Sequence, residues 1–509
     1  MKKLLKVLAI ILIIALVISA VAVILIRQFM GWTPQDGVSS DDTIVDTLQG
    51  KLQGRENRGI YNFLGVEYAK AEKMFQPAKP IESWEGVKTA FEYGPASLQS
   101  GGFGSFITGN EYSNDCQNLN LWTPGLDGEK RPVMVWLHGG GFSSGTANGT
   151  IGENLALTQD VVVIGVNHRL NMVGHFDLSA YGEEYRDSAN LGTDDIILAL
   201  QWVQNNIEKF GGDPDNVTVF GQSGGGAKIL ALMTSPKAEG LFHKAIIQSG
   251  ATETVGVRFT DKAASLDLTE IVLRQLGITA DNIDDINNVS YNELMNAGSV
   301  ALSEVAQKYQ IPGPFGGYGM EWEPVVDGEY IVDHPVTEDG FAAVAHSLDI
   351  PLLIGSNLHE WSFMPSEQVE VTDEIAAEYA KAYPNEEPSS ASRTDTLIRM
   401  PMLKIMSAKA EQGGAKVYSY LFTYGNAGHG AEIPYVFANG DDPMNSILSS
   451  VWASFARNGV PSADGLPEWE AYTVDGGACM ILDEQSYLAY HHDKELFKLI
   501  EPEFLYPYK

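Results

Sequence analysis

The chain has 509 residues, 44% hydrophobic and 19% charged, a globular composition able to bury a large core. Its 33 basic and 66 acidic residues leave a formal net charge of −33, which argues against a nucleic-acid partner, because that recognition needs a basic footprint. With only two cysteines, Cys116 and Cys479, a disulfide framework is excluded and one bridge at most is allowed.

At the N-terminus, Lys2, Lys3 and Lys6 precede an uncharged run, Val7–Ile26, that ends at Arg27. About 20 apolar residues span a bilayer core as a helix, whereas the apolar region of a secretory signal is about 7–15 residues long. Residues 7–26 are therefore read as a membrane anchor, with 1–6 cytoplasmic by the positive-inside rule. Residues 27–46 follow as a polar stalk, and 47–509 as one exported domain. A cleaved signal stays open as an alternative, because Ala20-Val21-Ala22 has the small-residue pattern of a cleavage site.

The exported part shows no repeat and no low-complexity linker. Short apolar runs at 133–137, 161–166, 217–220, 245–247 and 352–354 predict buried strands. Between them, 194–210 has helical periodicity, with Asp194 or Asp195 expected near its N-cap. Strands alternating with helices predict an α/β fold, a mostly parallel central sheet covered on both faces. Residues 255–310 read as helices inserted between strands, a helical cap over a site.

Two stretches fit G-x-S-x-G: Gly141–Gly145, around Ser143, and Gly221–Gly225, around Ser223. Context separates them. Val217–Phe220 before Ser223 reads as strand and Ala227–Met233 after it as helix, so Ser223 sits on a strand–turn–helix elbow. Ser143 is followed by SSGTANGTIG, which is turn material. The glycines before it, His138-Gly139-Gly140-Gly141, come directly after a strand and expose backbone N–H groups. Such donors are what a developing oxyanion needs, so the two stretches read as halves of one acyl-transfer site.

A serine nucleophile needs a base, and the base an orienting carboxylate. His429 follows the strand-like 417–424 among small residues, Gly425 to Gly430. Glu360 follows the strand of 352–354, and His359 beside it is a weaker candidate base. No metal or organic cofactor is expected, since H-E-x-x-H, a P-loop and a placed G-x-G-x-x-G are absent. A small-molecule ester is the expected partner, an amidase or peptidase with the same residues is the near alternative, and the oligomeric state is left open.

Taken together, several stretches resemble the type-B carboxylesterase and cholinesterase-like family. They include FLGVEYAKAEKMFQP (63–77), NDCQNLNLWTP (114–124), WLHGGGF (136–142) and NHRLNMVGHF (167–176). SANLGTDDIILALQWVQNNIEKFGGDPDNVTVFGQSGGGA (188–227), GSNLHEWSF (355–363) and GHGAEIPYVF (428–437) complete the main set. The resemblance implies an α/β-hydrolase fold, a Ser223–Glu360–His429 triad and an oxyanion hole from the backbone of Gly140, Gly141 and Gly224. It also implies that Ser249 supports the triad. Where this family usually has alanine, Gly224 stands, a change expected only to loosen the turn. Ser97 stands where the family's disulfide partner of Cys116 would be, so that bridge is expected to be missing. Phe106 stands near a tryptophan of choline-binding members, which weighs against a cholinesterase. Neuroligin-type adhesion proteins share the fold and lose the nucleophile; the complete set of residues here weighs against that role.

Overall fold

A computed structural model describes residues 37–99, 111–250, 257–313, 317–337, 340–342, 344–360, 369–387 and 393–501. The expected anchor at 7–26, the cytoplasmic 1–6, the stalk up to residue 36 and Phe106 all lie outside these residues. Among the described residues, no helix is long and apolar enough to cross a membrane.

One sheet of eleven strands organises the chain. In chain order its strands are β1 (Arg55–Asn57), β2 (Ile60–Glu67), β3 (Asn118–Thr123), β4 (Arg131–Leu137), β5 (Val162–Val166) and β6 (Gly212–Gln222). They continue with β7 (Lys244–Gln248), β8 (Leu352–Asn357), β9 (Val417–Phe422), β10 (Ala478–Leu482) and β11 (Tyr487–Tyr490). The spatial order is β11-β10-β9-β8-β7-β6-β4-β5-β3-β2-β1. From β5 through β4 and on to β10 the neighbours are parallel, and the two margins are antiparallel. Each predicted apolar run falls on one of the parallel strands, with Val161 alone lying just before its strand, β5. Successive residues Val217, Thr218, Val219 and Phe220 are all fully buried, so both faces of β6 are covered.

The helices that matter for the site are α1 (Asn171–His175), α2 (Leu191–Asn206), α3 (Gly224–Met233), α4 (Lys262–Leu276), α5 (Tyr291–Lys308), α6 (Arg393–Gln412) and α7 (Pro443–Asn458). Helix α3 packs on β4, β6 and β7, α7 on β4 and β6, and α6 on β8 and β9. Helix α2 starts at Leu191 with Asn190 at its N-cap, three residues before the expected start at 194, and Asp194 lies in its first turn, near the cap as expected. Asp195 is in a buried ion pair with Arg169 (2.7 Å), and Asp194 accepts a hydrogen bond from Tyr330 (2.8 Å). The predicted insertion forms α4 and α5, which pack against each other and, with Phe75, Met172, Phe176 and Trp322, bury a second, smaller core. Ser290 and Glu293 close a capping box at the start of α5.

Register fixes where the loops emerge. Leu137 pairs with Gly221, Gln222 with Gln248, Gln248 with Gly355, and Asn357 with Phe422. The carboxyl ends of β4, β6, β7, β8 and β9 therefore lie side by side, and the loops that leave them share one edge of the sheet, where open α/β sheets bind ligands. Both cysteines are free and buried, so Cys116 makes no bridge.

Candidate active site

Ser223 is the single residue between β6 and α3. Its φ of 56° and ψ of −124° lie where side chains rarely sit, a strain held by hydrogen bonds on both sides of the peptide. Its N–H donates to Gln248 O (2.7 Å), and its carbonyl accepts from Gly226 N (2.9 Å). Close approach explains the glycines that follow. A Cβ on Gly225 would lie 2.0 Å from Leu137 O, and one on Gly224 would lie 2.1 Å from Gly141 O. The start of α3 thus lies directly against the Gly139–Gly141 loop, and a Cβ on Gly139 would come within 3.3 Å of Ser223 Cβ. Gly224 therefore does more than loosen the turn, as its family substitution suggested. It lets two backbones meet.

Gly140 and Gly141 both have positive φ, 88° and 61°, inside the tight turn after β4. Ser143, the other G-x-S-x-G serine, closes that turn through its N–H to Gly140 O (3.3 Å). Its hydroxyl donates to Glu321 Oε2 (2.6 Å), in a different environment from that of Ser223.

The structure brings Glu360 and His429 together. His429 Nδ1 lies 2.5 Å from Glu360 Oε2, and the His429 N–H donates to Glu360 O (2.9 Å). Glu360 is fully buried, and its other oxygen accepts the Asn357 N–H (2.8 Å). The far ring nitrogen, His429 Nε2, lies 3.1 Å from Gln222 Nε2, on the residue preceding Ser223. An acceptor at Nδ1 and a donor at Nε2 together select the Nδ1–H tautomer of the neutral ring. Burial opposes protonation of His429, but the hydrogen bond and charge of Glu360, with help from Glu432, outweigh it and hold its pKa above the ordinary value.

The remaining candidates separate cleanly. His359 Nε2 pairs with Glu386 Oε2 (3.2 Å), which is not part of the Glu360–His429 pair. Ser249 lies next to Gln248 with a φ of 50°, and its N–H donates to Gly355 O (2.8 Å). Its hydroxyl has no hydrogen-bond partner among the described residues, so no hydrogen bond joins it to Glu360 or His429.

Several polar residues support the pair that sequence reasoning missed. Glu432 is fully buried and accepts from Gln248 Nε2 (2.8 Å) and Asn357 Nδ2 (2.6 Å). Asn357 Nδ2 also donates to Gly428 O (2.6 Å), next to His429, and Gln248 Oε1 accepts the Trp452 indole N–H (2.9 Å). Burial, reinforced by the charge of Glu360, pushes Glu432 above the usual carboxylate range. The signal for Glu432 was present in the sequence: an acid three residues after His429, between Ala431 and Ile433. Gln248 and Asn357 carry no such signal, since they meet only through strand register.

A profile described as the carboxylesterase family matches residues 41–388 and 366–497. The para-nitrobenzyl esterase of Bacillus subtilis (strain 168) is 33% identical over 87% of this chain and 95% of that protein. A phenmedipham hydrolase of Pseudarthrobacter oxydans is 30% identical over 87% of this chain and 95% of its own. Among solved structures, an esterase from anaerobic Clostridium hathewayi, described as able to hydrolyse aliphatic aromatic polyesters, aligns with a TM-score of 0.79. That alignment has 32% identity and covers 92% of this chain and 100% of that one.

Proposed function

The chain belongs to the carboxylesterase family and is an ester hydrolase; we propose that it works through an acyl-enzyme on Ser223, with His429 as base and Glu360 as the carboxylate that orients it. Ser223 Oγ attacks the acyl carbonyl as His429 Nε2 takes its proton. The N–H groups of Gly140, Gly141 and Gly224 receive the oxyanion. Glu360 holds the Nδ1–H and stabilises the imidazolium. His429 then protonates the leaving alcohol, and a water, deprotonated by the same ring, attacks the acyl-enzyme to release the acid and free Ser223.

One observation carries this reading: the 2.5 Å pair of His429 and buried Glu360, whose far nitrogen lies beside the elbow residue Gln222. Pre-steady-state hydrolysis of a p-nitrophenyl ester tests it. Wild type should release a burst of nitrophenol equal to the enzyme present, and Ser223→Ala should show no burst and lose activity by about 10⁴-fold or more. A full burst from Ser223→Ala removes the assignment.

We further propose that Val7–Ile26 anchors the enzyme with residues 47–509 outside the cytoplasm, supported by the length of the run and the lysines before it. An intact N-terminus in the membrane fraction is expected; a soluble mature chain starting near residue 23 contradicts it.

A further inference from the structure

Helix α3 carries one charged residue, Lys228, in GGGAKILALM, and that residue is only 1% exposed. A buried amine is costly unless it is neutralised or partnered. Among the described residues Lys228 forms no ion pair, and its Nζ makes one hydrogen bond, to His138 O (2.8 Å). Burial brings the amine down to about 7, which makes an uncharged donor accessible near neutral pH. When protonated, Lys228 acts in turn on the imidazoles of His138, His168 after β5, and His175 on α1. All three are buried and kept neutral, each held below its ordinary pKa first by that burial and further by the Lys228 charge. The His138 and His168 rings stack at 5.1 Å, and His138 Nδ1 is 2.8 Å from Gly139 O.

The carbonyl that Lys228 holds opens the donor loop. His138 follows β4 and leads through Gly139 to Gly140 and Gly141. One turn of α3 therefore grips this loop at both ends. Gly224 lies against Gly141, Gly225 against the Leu137 carbonyl, and Lys228, four residues after Gly224, reaches His138 O. We propose that Lys228 is a positioning residue of the oxyanion loop, tying its first carbonyl to the helix that bears Gly224 so that the three N–H groups keep one fixed geometry. The inference rests on the acyl-transfer reading of Ser223. Removing the amine leaves the loop and its packing and frees the His138 peptide to shift. A displacement of about 1 Å at such a site costs on the order of 10²-fold in rate.

The test compares Lys228→Met, close in size and without a donor, with Lys228→Gln, which carries a donor on a side chain one bond shorter. Melting temperature and stoichiometric fluorophosphonate labelling at Ser223 establish that each variant is folded with its nucleophile in place. Lys228→Met is expected to lose about 10–100-fold in kcat with KM within twofold of wild type. Lys228→Gln is expected to recover at least threefold over Lys228→Met. A kcat within twofold of wild type for Lys228→Met overturns the inference, as does a Lys228→Gln no faster than Lys228→Met. If Lys228→Met does not fold, Lys228→Gln alone decides: kcat lowered with KM held supports the role, and unchanged kcat or a fall confined to kcat/KM through KM overturns it. Wild type that is not labelled at Ser223 removes the site itself and the inference with it. Labelling at Ser223 with Lys228→Met as active as wild type leaves the site standing and overturns the inference alone.

Discussion

Gln222→Glu puts a carboxylate where a neutral amide now lies 3.1 Å from His429 Nε2, the nitrogen that takes the serine proton in the proposed mechanism. The substitution adds a charge and little else, because the two side chains have nearly the same shape, and Gln222 is only 5% exposed. Two unit charges about 4 Å apart interact by about 4 kcal/mol at an effective dielectric of about 20. At 1.36 kcal/mol per unit, that is an upper bound of about 3 units on the His429 pKa. The imidazole edge must stay open to substrate and water, so a rise of about 1–2 units is expected. The sign follows from the role of His429. The base works unprotonated, its pKa already lies above the ordinary value, and the new charge raises it further. The acid limb of kcat/KM against pH should therefore move up by about 1–2 units, costing about 10–100-fold below both limbs and little on the alkaline plateau. Initial rates of p-nitrophenyl acetate hydrolysis from pH 5 to 9 read this directly. An acid limb that stays within about 0.3 units of wild type, in a variant with an unchanged melting temperature, would refute the placing of His429 as base.

Gly224→Ala should fold, but its Cβ would meet Gly141 O at 2.1 Å, so the donor loop must retreat. A fall of about 10-fold or more in kcat is expected, and unchanged kcat would show that the loop yields without moving its N–H groups. Asp194 is held up at about 6, first by burial and then by the charge of Asp195, against about 3.9 in the unfolded chain. Its folded pKa is raised, so the protonated form favours folding fully below about pH 4, and that stability is lost as pH rises through about 6. Asp194→Asn keeps an acceptor for Tyr330 without the charge, and should gain about 1–3 kcal/mol in urea unfolding at pH 7.5 and nothing at pH 4; an equal change at both pH values contradicts the assignment.

The parts of this site that are local in sequence were legible. Strand, turn and helix around Ser223 announce themselves in the seventeen residues Val217–Met233, and the loops bearing Glu360 and His429 each follow a visible apolar strand. What was hidden depends on register or on satisfied burial. Strand β3 reads Asn118-Leu-Asn-Leu-Trp-Thr123, whose polar residues disguise a fully buried strand. Asn118 Nδ2 donates to Pro95 O (2.8 Å) and Asn120 Nδ2 to Asn148 Oδ1 (3.1 Å), partners that no local pattern reveals. Gln248 and Asn357 are more than a hundred positions apart and meet at Glu432 only because β7 and β8 are neighbours. Helix α2 begins three residues before the acidic pair that marks its start in the sequence, and only burial shows that Tyr330 and Arg169 draw Asp194 and Asp195 into the interior. Lys228 was overlooked for the opposite reason: one lysine in an apolar helix reads as a solvent-facing residue until its burial is seen.

The central claim is that Ser223, and not Ser143, is the nucleophile. A fluorophosphonate probe, followed by peptide mapping of wild type, Ser223→Ala and Ser143→Ala, tests it most directly. The account predicts stoichiometric label on Ser223 in wild type and in Ser143→Ala, and none in Ser223→Ala. Label on the peptide containing Ser143, or full labelling of Ser223→Ala, would contradict it.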